Sequence, residues 1–272
     1  MRQRLARHGL APSKARGQNF LRSPEMAQRL VELVGVSPED AAVEIGPGTG
    51  QLTRPLVAVA RRTVAIEVDR GLVELLGELA WPGELELRHE DVLQADLGGI
   101  VRELGPPVVL LGNLPYSISG RILVALLSPN NPFRRWGLML QREVADRVLA
   151  EPGTPEYGTL SVWARLFSRA ERALDLSATE FSPRPRVRSS FLVFDPAPEP
   201  REIHSMSLLR RTVRAAFGQR RKTLRRALKG TVEGVEAALE EVGVDPMRRG
   251  ETLDEIEFLA LANALAARQQ PR

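Results

Sequence analysis

Short strand-like runs alternate with helical patterns through the first half of this chain, and that alternation restricts the fold more than any other feature. Ala41–Ile45 is apolar, Thr63–Glu67 is β-branched and ends on an acid, and Leu85–Arg88 alternates apolar with polar. Val108–Leu111 and Trp136–Leu140 complete the series. Helical periodicity follows in Leu52–Val59, Leu72–Leu79, Ile122–Leu127 and Arg142–Leu149. Strands separated by helices build βαβ units, hence a mostly parallel sheet with helices on its faces. Thr159–Leu166 fits either a helix or a strand, and Ser190–Phe194 reads as a late strand added to the sheet by a hairpin-type connection. Asp195-Pro196-Ala197-Pro198-Glu199-Pro200 has the composition of a linker. Beyond Ser205 the pattern is helical throughout: Leu208–Phe217, Thr223–Leu228, Val232–Val242 and Leu253–Ala267. The expectation is an α/β domain over 1–198 and a small all-helical domain over 199–272.

The 272 residues contain no cysteine, which removes disulfides, thiolate nucleophiles and cysteine-held metals. His8, His89 and His204 are scattered and make no metal-ligand pattern. No apolar run reaches the length of a membrane span, and Met1-Arg2-Gln3-Arg4-Leu5 is not followed by the apolar stretch of a signal peptide. A soluble, cytoplasmic, metal-free monomer is expected.

Net charge is only +4, but the charges are segregated. Arg2, Arg4, Arg7, Lys14, Arg16 and Arg22 all precede the first acid, Glu25. Between Arg201 and Lys229 stand ten basic residues and one acid, Glu202. Gly230 to Leu261 is acidic. Clustered cations suit a polyanion, because each phosphate contact releases counterions; Arg220, Arg221 and Lys222 are the candidates for such contacts. A solvated basic helix would read the same way.

The ends of the strands carry the chemistry. Glu44-Ile45-Gly46-Pro47-Gly48-Thr49-Gly50 follows the first strand and opens a helix. Glycines let the backbone approach a ligand and present N–H groups to it. The loop fits a dinucleotide or a methyl donor, and two details favour the latter. Gln51 stands where the dinucleotide fingerprint has its third glycine. Glu44 suits the cationic methionine part of S-adenosylmethionine better than a pyrophosphate. Glu67, at the end of the second strand, can accept bonds from both ribose hydroxyls, which would serve NAD equally. Asp91, after the third strand, can bond an adenine amino group beside the N–H of Val92. Asn113-Leu114-Pro115-Tyr116 follows the fourth strand. There Asn113 Oδ1 and the Leu114 carbonyl could each accept a hydrogen of an aromatic amine, with Tyr116 stacking on its ring. A polar turn that merely ends a strand would use the same residue types.

These motifs, with Gln18-Asn19-Phe20-Leu21, Phe181-Ser182-Pro183-Arg184-Pro185-Arg186-Val187-Arg188-Ser189 and Phe217–Leu224, together resemble the ribosomal RNA adenine N6,N6-dimethyltransferases. The last two segments favour the KsgA type, which acts on small-subunit RNA, over the erythromycin-resistance type, which acts on large-subunit RNA. The resemblance implies a Rossmann-like class I methyltransferase fold with S-adenosylmethionine as cofactor. It implies cofactor contacts from Asn19, Leu21, Gly46, Glu67, Asp91 and Asn113, to which the loop reading adds Glu44, Gly48 and Val92. Tyr116 and Phe181 would enclose the target adenine, and residues 1–22 would include a lid. The implied partner is 16S rRNA in a small-subunit precursor, bound in part by the helical domain. Adenine methylation of other nucleic acid, or a non-catalytic assembly role, are the competing expectations.

Overall fold

The computed structural model describes residues 18–197, 201–230 and 232–269. The basic arm before residue 18, including most of the expected lid, lies outside the described residues. In chain order the first half forms β1 (Phe20–Leu21), α1 (Pro24–Val34), β2 (Ala41–Ile45), α2 (Thr53–Val59), β3 (Arg62–Glu67), α3 (Arg70–Gly77), β4 (Leu85–His89), α4 (Leu97–Leu104), β5 (Val108–Asn113), α5 (Ser119–Leu126), β6 (Arg135–Gln141) and α6 (Arg142–Leu149). Then come α7 (Thr159–Phe167), β7 (Ser168–Leu176), β8 (Phe181–Ser182), β9 (Ser189–Pro196), α8 (Met206–Gly218), α9 (Leu224–Leu228), α10 (Val235–Glu241) and α11 (Glu255–Gln269).

Seven strands make one sheet in the order β4-β3-β2-β5-β6-β9-β7. From β4 across to β6 each pair is parallel, while β9 runs antiparallel to β6. Every residue of β2 is buried, as is β5 as far as Gly112, which suits a sheet covered on both faces. The chain steps outward from β2 to β3 and β4, then returns to build β5 and β6 on the other side. That reversal opens a crevice at the carboxyl ends of β2 and β5, where open α/β sheets hold ligands.

Helix α1 was not among the expected elements. It starts at Ser23, whose hydroxyl accepts the Met26 N–H, with Pro24 in its first turn, and stops at Gly35 in the left-handed region, φ 69°. Ala27, Leu30, Val31 and Val34 lie on its buried face, in one apolar cluster with Val109, Leu111, Phe191 and Val193. Both the cap and the spacing are visible in the sequence. Helix α4 is harder to see, because it opens on Leu97-Gly98-Gly99 and glycine is a poor helix former; Asp96 caps it and Ile100, Val101 and Leu104 are buried. Strand β7 is an edge strand whose residues between its two buried ends are half-buried or exposed, so no apolar run announces it.

The described residues group into two compact units, one of 18–145 with 170–196, the other of 146–169 with those after 196. Residues 146–169, assigned from sequence to the first domain, thus belong with the C-terminal helices. The ambiguous 159–166 stretch is helix α7, which buries Val162, Trp163, Leu166 and Phe167. Arg165 pairs with Glu255 of α11 at 2.8 Å. In this second unit the Phe217 ring lies 5.7 Å from both Tyr157 and Phe258.

Candidate active site

A cavity of about 330 Å³ opens at the carboxyl ends of β2, β3 and β5. Asn19, Leu21, Glu44, Gly46, Gly48, Glu67, Asp91, Val92, Asn113, Leu114 and Tyr116, singled out from sequence, all line it. The glycine loop shapes its floor. Gly48 has φ +57°, and a Cβ there would stand 2.8 Å from the Phe20 ring. Gly50 has φ +80°, and its Cβ would meet Trp81 at 2.6 Å. Any other residue would be strained in backbone and crowded in space at both positions.

The segment before α1 is held down by its carbonyls. Asn113 Nδ2 donates to Asn19 O at 2.8 Å, and Gln51 Nε2 donates to Arg22 O at 2.9 Å. Arg22 N donates to Glu180 O, and β1 pairs antiparallel with β8. Because a carbonyl can only accept, the Asn113 amide nitrogen must face Asn19. Its Oδ1 is then the atom free to accept, on a residue that lines the cavity. In the sequence Gln51 shows only as a departure from a glycine pattern, and its tether role depends on a contact 29 residues away that spacing does not reveal.

The acids differ in how far they are satisfied. Glu67 accepts the Gly48 N–H at 3.2 Å on one oxygen and the Asp69 N–H at 3.0 Å on the other. Burial outweighs these bonds, and its carboxyl titrates above the usual range. Asp91 Oδ1 accepts the Leu93 N–H at 3.0 Å. Glu44 is only 1% exposed, and its Oε2 has no partner among the described residues. The Thr53 hydroxyl is near enough to favour the carboxylate but completes no sound hydrogen bond with it. Burial first, then repulsion from Glu67, push the Glu44 carboxyl up to about 8. Such a group is poised for a cationic ligand.

Tyr116 is half-buried, and its hydroxyl shares a 2.7 Å hydrogen bond with Ser189 Oγ. Burial raises its phenol above the ordinary value.

Two sequence-derived assignments meet a different arrangement. Phe181, expected against the target base, does not line the cavity. It is 2% exposed, packs in the apolar cluster with Leu21 and Leu30, and pairs with Leu21 across the β1–β8 ladder. Arg220, expected on a polyanion, is already engaged: its Nε meets Glu251 at 2.6 Å and its guanidinium donates to Thr154 O at 3.0 Å. Its neighbours Arg221 and Lys222 are exposed and have no ion pair among the described residues. Among the described residues no group of His, Cys, Asp and Glu could hold a metal, and no helix is long and apolar enough to cross a membrane.

A parallel sheet reversed between β2 and β5, extended past β6 by an antiparallel β9 and bearing acids at successive strand ends, is the class I methyltransferase fold. Solved structures share it. A dimethyladenosine transferase from Plasmodium falciparum superposes with TM-score 0.74 at 23% identity, over 89% of this chain and 95% of its own. The 23S rRNA methyltransferase ErmE gives 0.66 at 25% identity, over 91% and 99%. Within that class, residues 12–267 match the model of the ribosomal RNA adenine dimethylase family, and the chain belongs to it. Proteins named ribosomal RNA small subunit methyltransferase A are similar over nearly their whole length. The one from Magnetococcus marinus is 41% identical, covering 95% of this chain and 94% of its own. The one from Geobacillus thermodenitrificans is 38% identical, covering 96% and 93%.

Proposed function

We propose that this chain uses S-adenosylmethionine to dimethylate N6 of two adjacent adenosines in the 3′-terminal hairpin loop of 16S rRNA, during small-subunit assembly in the cytoplasm. The observation that carries the reading is the meeting, in one cavity, of acids from three neighbouring strand ends with Asn113-Leu114-Pro115-Tyr116. The choice of small-subunit RNA rests on 38–41% identity to relatives named for that subunit, against 25% to the 23S enzyme.

The residues fit the cofactor. The partnerless Glu44 oxygen would accept its ammonium group, and the spare lone pairs of Glu67 its ribose hydroxyls. Asp91 and the Val92 N–H would bond the adenine edge, while Asn19 and Leu21 would close over the methionine end. Gly46 and Gly48 leave room for the backbone to touch it. When bound, the cofactor supplies an electrophilic methyl group on a sulfonium.

What the chain itself contributes is positioning. The N6 lone pair of adenine is delocalised into the ring. Asn113 Oδ1 and the Leu114 carbonyl would each hold one amine hydrogen and favour a pyramidal nitrogen with its lone pair free. Positioning of this kind can lower a barrier by roughly 7–11 kcal/mol in favourable cases. Extruding the base costs a few kcal/mol, and stacking on Tyr116 would return about 1–3 kcal/mol of that. Phe181 supports Leu21 from behind. The methylated nitrogen becomes acidic as it forms, so water can take its proton. In the helical unit, Arg221 and Lys222 would contact RNA phosphates.

Asn113→Ala tests the amine grip. With small-subunit particles and labelled S-adenosylmethionine, methyl transfer should fall about 10²–10³-fold, the loss typical of removing one transition-state hydrogen bond. A rate near wild type overturns the mechanism. If mass spectrometry of nucleosides from particles treated with the wild-type protein shows no dimethyladenosine, the activity itself is overturned.

A further inference from the structure

We infer that Ser189 is a positioning residue that locks the Tyr116 ring in its stacking attitude; this rests on the stacking role given to Tyr116 above. Tyr116 is fastened at both ends by buried hydroxyls. Its carbonyl accepts from Ser119 Oγ at 3.2 Å, and its phenol shares the 2.7 Å bond with Ser189 Oγ. Ser119 is 1% exposed and Ser189 is 0% exposed. The first bond fixes where the side chain leaves the backbone. The second fixes the far end of the ring, so that it cannot swing about χ1 while the base enters.

Ser189 is well placed to be rigid. It opens β9, where it pairs with Gln141 of β6, in the interior of the sheet. The Arg142 N–H donates to Arg188 O at 3.0 Å, anchoring the residue before it. A hydroxyl borne by a strand flanked on both sides is a firmer reference point than one borne by a loop. An aromatic platform that wobbles would still admit a base but would hold its amine less often in line with Asn113. The tether should therefore act on turnover and hardly on the affinity for S-adenosylmethionine.

Ser189→Ala should lower kcat about five- to twentyfold with KM for S-adenosylmethionine unchanged, and Ser189→Thr should recover most of it. Tyr116→Phe should lose a similar factor. The double variant should be no worse than Tyr116→Phe, since both remove the same bond. The chain has two tyrosines, so carbon-13-labelled tyrosine NMR can follow the Tyr116 ring directly, with Tyr116→Phe assigning it. Ser189→Ala should broaden or average that signal without RNA present. Multiplicative losses in the double variant, or an unchanged kcat in a Ser189→Ala protein whose wild-type parent methylates RNA, overturn the inference alone. A wild-type protein that transfers no methyl group to RNA overturns the function and this inference with it.

Discussion

Strand β2 carries a buried acid at each end, and the two could hardly be treated more differently. Asp40, just before the strand, is fully buried and accepts from the Ser37 N–H, the Ser37 hydroxyl and the Arg134 guanidinium. Arg134 also donates to Gly35 O at 3.0 Å, tying in the end of α1. Burial alone would raise the Asp40 carboxyl, but these partners hold it below its ordinary 3.8. Glu44, at the carboxyl end, is as deeply buried and has an oxygen with no partner among the described residues. At one end of the sheet the chain satisfies its own charge; at the other it leaves one carboxyl oxygen without a partner among the described residues. Depth of burial does not tell these two acids apart; whether their bonds are filled from within the chain does.

The largest expected effect is at the satisfied end. Arg134→Ala leaves Asp40 buried without its counter-charge, which for fully enclosed pairs costs about 3–5 kcal/mol. Ser37 remains, and the Arg134 side chain is 37% exposed, so roughly 2–3 kcal/mol is expected here. Urea denaturation checks it. Less than about half a kcal/mol would mean that Ser37 alone suffices.

Glu44→Gln should behave the opposite way, leaving stability intact while weakening S-adenosylmethionine binding by about 10–100-fold near pH 8, the value of one charge-assisted hydrogen bond. A melting temperature well below wild type would place Glu44 with Asp40 instead. The two acids should also respond oppositely to pH. Glu44 titrates above its ordinary 4.5, so the stability it confers is full below about 4.5 and lost as pH rises through about 8. Asp40 titrates below 3.8, so its stability is present above 3.8 and lost as pH falls further. Binding a cation favours ionised Glu44, so wild-type affinity for the cofactor should rise with pH up to about 8. Glu44→Gln should abolish that rise, and calorimetry in two buffers of different ionisation heat should show proton release by wild type only.

A sequence states which groups are present, not which are already bonded to one another. The parallel strands, the glycine loop, the strand-end acids and Asn113–Tyr116 were legible because each lies in a short local pattern tied to one position on a βαβ frame. In the sequence Phe181 and Arg220 show only their type, an aromatic near a proline turn and an arginine in a basic run. The structure shows both committed internally, through partners 160 and 31 positions away in the chain. The contacts of Gln51 and Ser189 are invisible in the sequence for the same reason, since their partners Arg22 and Tyr116 are distant in the chain. Residues 146–169 went to the wrong unit because nothing in a helix's own residues says which core will bury it.

Arg220 and its two neighbours repeat the contrast of Asp40 and Glu44 at the protein surface, with the smallest effects. Arg220→Ala removes a partly exposed ion pair and a bond to Thr154 O, so about 1 kcal/mol of stability should be lost. The salt dependence of RNA binding should hardly change, because that guanidinium faces Glu251 rather than solvent phosphate. Arg221→Ala with Lys222→Ala should leave the melting temperature alone. If each contacts one phosphate, the slope of log affinity against log salt should shrink by about 1.4–1.8 in magnitude. Filter binding of the variants to small-subunit RNA across a salt series separates the two cases. An Arg220→Ala protein that flattens the slope as strongly as the double variant would show that its pairing with Glu251 opens when RNA arrives.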